Sequence, residues 1–210
     1  MTYCPKGDCS ADDFPLWTIR VTATDALVAY VLPKCLKALR AQHPSVHVEL
    51  VSSMSQADIA RHEADIAIRH VRPEQPDLLA QWIGDFDVSM YASSEYLATL
   101  GNPERLVDFS RANFIGFEHP ERLVQQVVSM GIPVTKHNFD IVATSGMVTY
   151  ELARAGLGIA LLPSVVAVEQ FGLQQIHPDL GKMQMPIWLV THADVKTNAR
   201  IRLCFGSGSL

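Results

Sequence analysis

The stretch Thr144–Pro163, TSGMVTYELARAGLGIALLP, decides the fold. A small-polar turn, Thr144-Ser145-Gly146, opens an amphipathic helix. Two glycines, Gly156 and Gly158, stop that helix, and an apolar run ends at Pro163. A matching unit lies near the N-terminus, Ile19–Pro33, IRVTATDALVAYVLP. Each unit aims a helix N-terminus from the carboxyl end of a strand. The first N–H groups of a helix have no partner within it, and the helix dipole favours negative charge there. In α/β folds that position is where small ligands bind. Two such units predict two lobes around a cleft, and a binding protein before an enzyme.

Working outward, Thr18–Ala23 reads as a strand. Leu27, Val28, Val31, Leu32, Cys35, Leu36 and Leu39 then recur at helical steps, with Asp25 as the expected N-cap. Pro33 inside that pattern should kink or split the helix. Val46, Val48 and Leu50 alternate as a second strand. A short helix is expected over 55–63. Asp65–Ile68 reads as a buried parallel strand, which completes a βαβαβ lobe. Further strands are expected over 79–83, 88–92, 114–117, 139–143, 173–176 and 186–191. Helices are expected over 94–100 and 121–130, with a helical turn at 106–109 and a closing helix at 197–205. The two lobes are then 17–87 plus 192–205 and 93–187. Short crossing strands over 88–92 and 187–191 join them, so that 88–191 holds the second lobe with its hinge. This division requires that no single sheet run uninterrupted through both halves. Residues 1–16 and 206–210 read as irregular tails.

Composition narrows the function. The chain has 210 residues, 48% hydrophobic and 19% charged, with a net charge of −5. No basic cluster occurs, so the electrostatic footprint of a DNA-binding surface is missing. No window approaches the ~20 apolar residues of a membrane span, and no apolar secretory core is visible near the N-terminus. Cys4, Cys9, Cys35 and Cys204 are scattered and read as free thiols of a reducing cytoplasm, with a local Cys4–Cys9 disulfide left open beside that reading. No metal-ligand spacing, serine-nucleophile elbow or phosphate-binding glycine loop is present. No cofactor, catalytic residue or metal is expected. Trp17, Trp82 and Trp188 are expected as core or interface anchors.

The run IRVTATDALVAYVLPKCLKALRAQHPSVHVELV resembles the start of the effector-binding domain of LysR-type transcriptional regulators. EADIAIR (63–69), YASSEYLATLGNP (91–103) and ARAGLGIALLP (153–163) are similar to later landmarks of that domain, in the same order and spacing. The resemblance covers about residues 17–205. It implies two Rossmann-like α/β lobes joined by two crossover strands, like type 2 periplasmic binding proteins. It implies a small-molecule effector in the cleft, a homodimer, and contact with DNA only through an N-terminal winged helix-turn-helix outside this chain. A stand-alone solute-binding protein, or an enzyme on the same scaffold, stays open beside it.

Cleft residues follow from that arrangement. The first lobe would offer Thr22, Thr24 and Asp25, then Ser52 and Ser53, then Arg69 and His70. The second would offer Phe117 and Glu118 with Thr144, Ser145 and Gly146. Thr24, Asp25 and Ser145 are also ordinary helix caps. Arg69 reads either as a clamp for a ligand or as an ion-pair partner. Asp25 weakens an anionic ligand, since its carboxylate competes for the helix dipole; an amine or a neutral molecule then fits better. The expected ligand is a small polar metabolite in a pocket below the roughly 300 Å³ lower end of common sites.

Overall fold

The computed structural model describes residues 17–54, 64–177 and 182–193. The helices expected over 55–63 and 197–205, and both tails, lie outside the described residues, as do Cys4, Cys9 and Cys204.

Strand β1 (Trp17–Ala23) lies between β2 (Val46–Ser52) and β3 (Ile66–Arg69), parallel to both. All four β3 residues are buried, as suits a parallel strand covered on both faces. After β1 the chain makes one π-helical segment, Leu27–Val31, and then helix α1 (Leu32–Gln42). Pro33 stands in the first turn of α1, where its missing N–H is not needed. The expected break is therefore a change of winding from π to α.

Strand β4 (Leu78–Ala92) is a single strand of 15 residues where two short ones were expected. It pairs antiparallel with β9 (Met183–His192) from Leu78↔His192 to Val88↔Met183, with a bulge between Trp82 and Gly84. β9 also pairs with β3, and β4 with β7 (Ala160–Pro163) and β8 (Gln174–Gln175). One hydrogen-bonded sheet therefore runs β2-β1-β3-β9-β4-β7. The expectation that the halves keep separate sheets is corrected, and so are the short crossing strands. The crossing strands are long enough to serve both lobes along their length.

The second lobe adds β5 (Ile115–Phe117) parallel to β6 (Ile141–Ala143), and a bridge from Phe114 to Ile159 ties them towards β7. Around them pack α2 (Ser94–Thr99), α3 (Pro120–Ser129), α4 (Gly146–Arg154) and α5 (Ser164–Glu169). Gly158 makes the bridge possible. Its φ is +158°, and a Cβ there would stand 2.8 Å from the Asn113 carbonyl oxygen. That oxygen accepts the Ile159 N–H at 2.9 Å, so a side chain would push the two strands apart.

One core fills the second lobe, with Phe109, Phe114, Ile132, Phe139 and Ile159 buried together. Another, around Tyr91, Tyr150 and Leu162, is shared: Ala26, Tyr30 and Val31 of the first lobe pack against it. Tyr30 meets Tyr150 and Phe171 edge-on, with ring centroids 5.6 and 5.1 Å apart. Such aromatic pairs contribute about 0.5–1.5 kcal/mol each beyond area burial, so the two lobes hold one another by packing.

Candidate functional site

The two strand-to-helix turns face each other across the cleft. β1 ends at Ala23 and the chain turns through Thr24 and Asp25. β6 ends at Ala143 and turns through Thr144 and Ser145 into α4. Ser145 caps α4: its Oγ accepts the Val148 N–H at 3.2 Å. Asp25 does something other than cap its own helix, and that expectation is corrected. Its Oδ1 accepts the adjacent Ala26 N–H at 2.7 Å and the Gly146 N–H of the other lobe at 3.1 Å. Its Oδ2 accepts the Ser145 hydroxyl. The first lobe thus places a carboxylate on the N-terminus of α4, where a bound anion would sit. Gly146 makes room for it: a Cβ there would stand 2.9 Å from Ala26 Cβ and 3.1 Å from Asp25 Oδ1.

Beside this contact lies a cavity of about 420 Å³ between the lobes. Thr24, Asp25, His70, Phe117 and Gly146 line it. The rest of the wall is mostly apolar, including Phe86, Ile115, Leu123, Leu161, Met183 and Met185. The cavity is larger than the roughly 300 Å³ expected, and its wall is mostly apolar where a polar ligand was expected. The apolar wall went unread because each residue looks like ordinary core; the Met183–Pro186 run, MQMP, was its one local signal.

The other expected site residues stand apart from the cavity wall. Arg69 is buried, with its guanidinium turned to groups of the protein itself. Its Nη1 donates to the carbonyls of Thr22 and Ile68 at 3.1 and 3.0 Å, and its Nη2 donates to Thr22 Oγ1 at 3.1 Å. Thr22 is consequently buried beneath the first turn. Ser52 is exposed, and the Ser53 N–H donates to the Ala23 carbonyl at 2.9 Å. Glu118 is exposed in the left-handed region, φ 49°. Thr144 is exposed, and Ser145 directs its hydroxyl to Asp25.

His70 is half-buried, and its Nδ1–H donates to the Pro186 carbonyl at 3.3 Å. Burial pushes its pKa below the ordinary histidine value, the Pro186 carbonyl pulls the other way, and the neighbouring Arg69 charge lowers it further. At neutral pH it therefore presents a neutral ring to the cavity. Among the described lining residues no lysine or arginine occurs, and Asp25 is the one carboxylate. Among the described residues no group of histidine, cysteine, aspartate and glutamate is arranged to hold a metal ion. No described helix is long and apolar enough to cross a membrane.

Comparison with known proteins places this geometry. The profile of the LysR substrate binding domain matches residues 16–206. The chain is 29% identical over 160 residues to an uncharacterised HTH-type transcriptional regulator of Haemophilus influenzae, covering 74% of this chain and 56% of that protein. It is 25% identical over 197 residues to the HTH-type transcriptional regulator CrgA of Neisseria meningitidis, covering 91% of this chain and 66% of CrgA. The solved regulatory domain of CrgA superposes with a TM-score of 0.78 at 22% identity, covering 91% of this chain and 97% of that domain. The chain therefore spans between about half and two thirds of the length of these curated relatives.

Proposed function

Because this chain belongs to the LysR substrate-binding domain family, as the effector-binding part of a LysR-type regulator, we propose that it binds a small molecule in the inter-lobe cleft and thereby controls transcription through a DNA-binding segment outside these residues. The observation that carries this reading is the cavity of about 420 Å³ walled by both lobes at the carboxyl ends of their strands. That volume falls within the roughly 300–1,000 Å³ of small-molecule sites. A ligand touching both walls has different contacts when the lobes shift, which is what a sensor requires. The site residues in this reading are Thr24, Asp25, His70, Phe117 and Gly146, with the apolar wall beside them.

The chain acts as a homodimer and not as an enzyme, in the cytoplasm. Support for association is apolar surface outside the cleft: Trp82, Val165 and Val168 are 54, 42 and 54% exposed. A two-fold contact would cover exposed apolar side chains of this kind on each copy. With a net charge of −5, DNA affinity must come from elsewhere.

The experiment is a thermal-shift screen of small acids, amines, amino acids and neutral aromatics on the wild type and on Leu123→Trp, which fills the cavity from α3. A compound that raises the wild-type melting temperature and leaves Leu123→Trp unmoved supports the reading. Equal shifts in both proteins overturn it. Turnover of the bound compound would replace sensor with enzyme, and a monomer mass by light scattering at tens of micromolar would remove the dimer.

A further inference from the structure

The end of the cleft where an anion would be held is already filled by the protein itself. The Gly146 N–H at the start of α4 bonds Asp25 Oδ1 at 3.1 Å, and the Ser145 hydroxyl bonds Asp25 Oδ2. Both are donors an incoming carboxylate would need. The cavity that remains is lined by apolar side chains, a neutral His70 and uncharged Thr24, Thr149, Gln126 and Gln184. Among the described residues that line it, no lysine or arginine occurs. A carboxylate or phosphate entering it would lose its hydration, meet no cation among the described lining residues, and stand near the Asp25 charge. A cationic ligand is also disfavoured, because both Asp25 oxygens are already bonded and the α4 dipole faces the same carboxylate.

We propose that Asp25 serves as a built-in substitute for an anionic ligand on the second lobe, and that the cleft consequently accepts an uncharged, mainly apolar molecule and rejects carboxylates and phosphates. This rests on the reading of the cleft as the effector site and adds its chemistry. Removing the Asp25 charge frees the α4 terminus and shifts the selection towards anions.

The test uses a matched pair of fluorescent probes, N-phenyl-naphthylamine and its peri-sulfonate, which differ by one negative charge. Both are titrated into the intact chain as wild type, Asp25→Asn, Asp25→Ala and Leu123→Trp. The asparagine variant keeps an acceptor for Ser145 and Gly146, and so keeps the question open should the alanine variant fail to fold. The expected result is that the wild type takes the uncharged probe at least about tenfold more tightly than the sulfonate. Asp25→Asn should narrow that ratio severalfold and Asp25→Ala should narrow it further, chiefly by strengthening the sulfonate. Leu123→Trp should lose the uncharged probe. Two results overturn the proposal alone: equal or tighter sulfonate binding by the wild type in a manner lost in Leu123→Trp, or a ratio unchanged by both Asp25 variants. Uncharged-probe binding that is absent from the wild type, or that survives Leu123→Trp, overturns the reading of the cleft and this proposal with it.

Discussion

The two turns that face each other across the cleft share one plan and differ in what they do with it. In the second lobe, the turn before α4 follows the ordinary grammar of a helix start. Ser145 bonds the Val148 N–H, and the α-winding is regular from Gly146 to Arg154. In the first lobe, the turn after β1 leads into π-winding over Leu27–Val31, and no side chain caps it. Its one acidic residue serves the opposite helix. The first turn donates a charge and the second receives it, so the pair behaves as one structural unit built from residues 120 positions apart. Similar local sequence does not imply equivalent roles, because a cap can be supplied from across a cleft as readily as from its own chain neighbour.

The largest effect should come from beneath the first turn. Arg69→Met removes three hydrogen bonds to Thr22 and Ile68 made by a charged group in a buried place. Bonds of this kind contribute about 1.5–3 kcal/mol, so chemical denaturation should show a loss near 3 kcal/mol. A variant as stable as the wild type would mean the first turn needs no such support. Next, Gly146→Val places side-chain atoms where a Cβ already approaches Ala26 Cβ to 2.9 Å. Overpacking of this kind costs about 1–3 kcal/mol. The lobes should be driven apart, which small-angle scattering reads as a larger radius; an unchanged radius would break the picture of a clamped pair.

A finer comparison uses two serine caps. Ser93→Ala removes only the bond to the Tyr96 N–H of α2, 3.2 Å long, and should cost about 1 kcal/mol. Ser145→Ala removes the corresponding bond and also the one to Asp25, so it should cost measurably more, about 1.5–2 kcal/mol. Equal losses would separate the two turns again. The smallest effect is a pH dependence. Burial holds the His70 pKa in the folded chain below its ordinary 6.5. The unfolded chain therefore binds that proton first, and protonation favours unfolding. Stability should fall as pH drops below about 6.5 and level off below the folded value. His70→Asn should show a shallower fall in melting temperature between neutral and mildly acidic buffer. Identical profiles would remove His70 as the titrating group.

How far the fold was legible follows from how local its signals are. The strand before Thr24, the buried β3 and the helix ended by Gly156 were all visible, because each carries its own periodicity and stop residue. β4 was not visible as one strand, since Gly84 and the Asp85-Phe86-Asp87 alternation look like an interruption. In the structure they are a bulge and a strand exposed on one face. α5 was hidden because Pro163 reads as a terminator, while it serves as the residue before the helix. Arg69 looked like a cleft residue because a strand's end points there; only the pairing of β1 with β3 places Thr22 within its reach. The Asp25 contact with Ser145 needs both lobes in place, and no window of sequence contains it.

The ladder between β4 and β9 also dictates an order of assembly. Its partners are separated by roughly a hundred residues, and closing so long a loop is entropically costly and slows folding. β9 supplies the antiparallel neighbour of β3, so the first lobe, begun before the second, is finished after it. Until residues 183–192 emerge from the ribosome, Ile66–Arg69 is an apolar strand with one side unpaired. Such an edge recruits other strands. A chain truncated before Met183 should therefore fail by self-association in the test tube before any question of ligand arises.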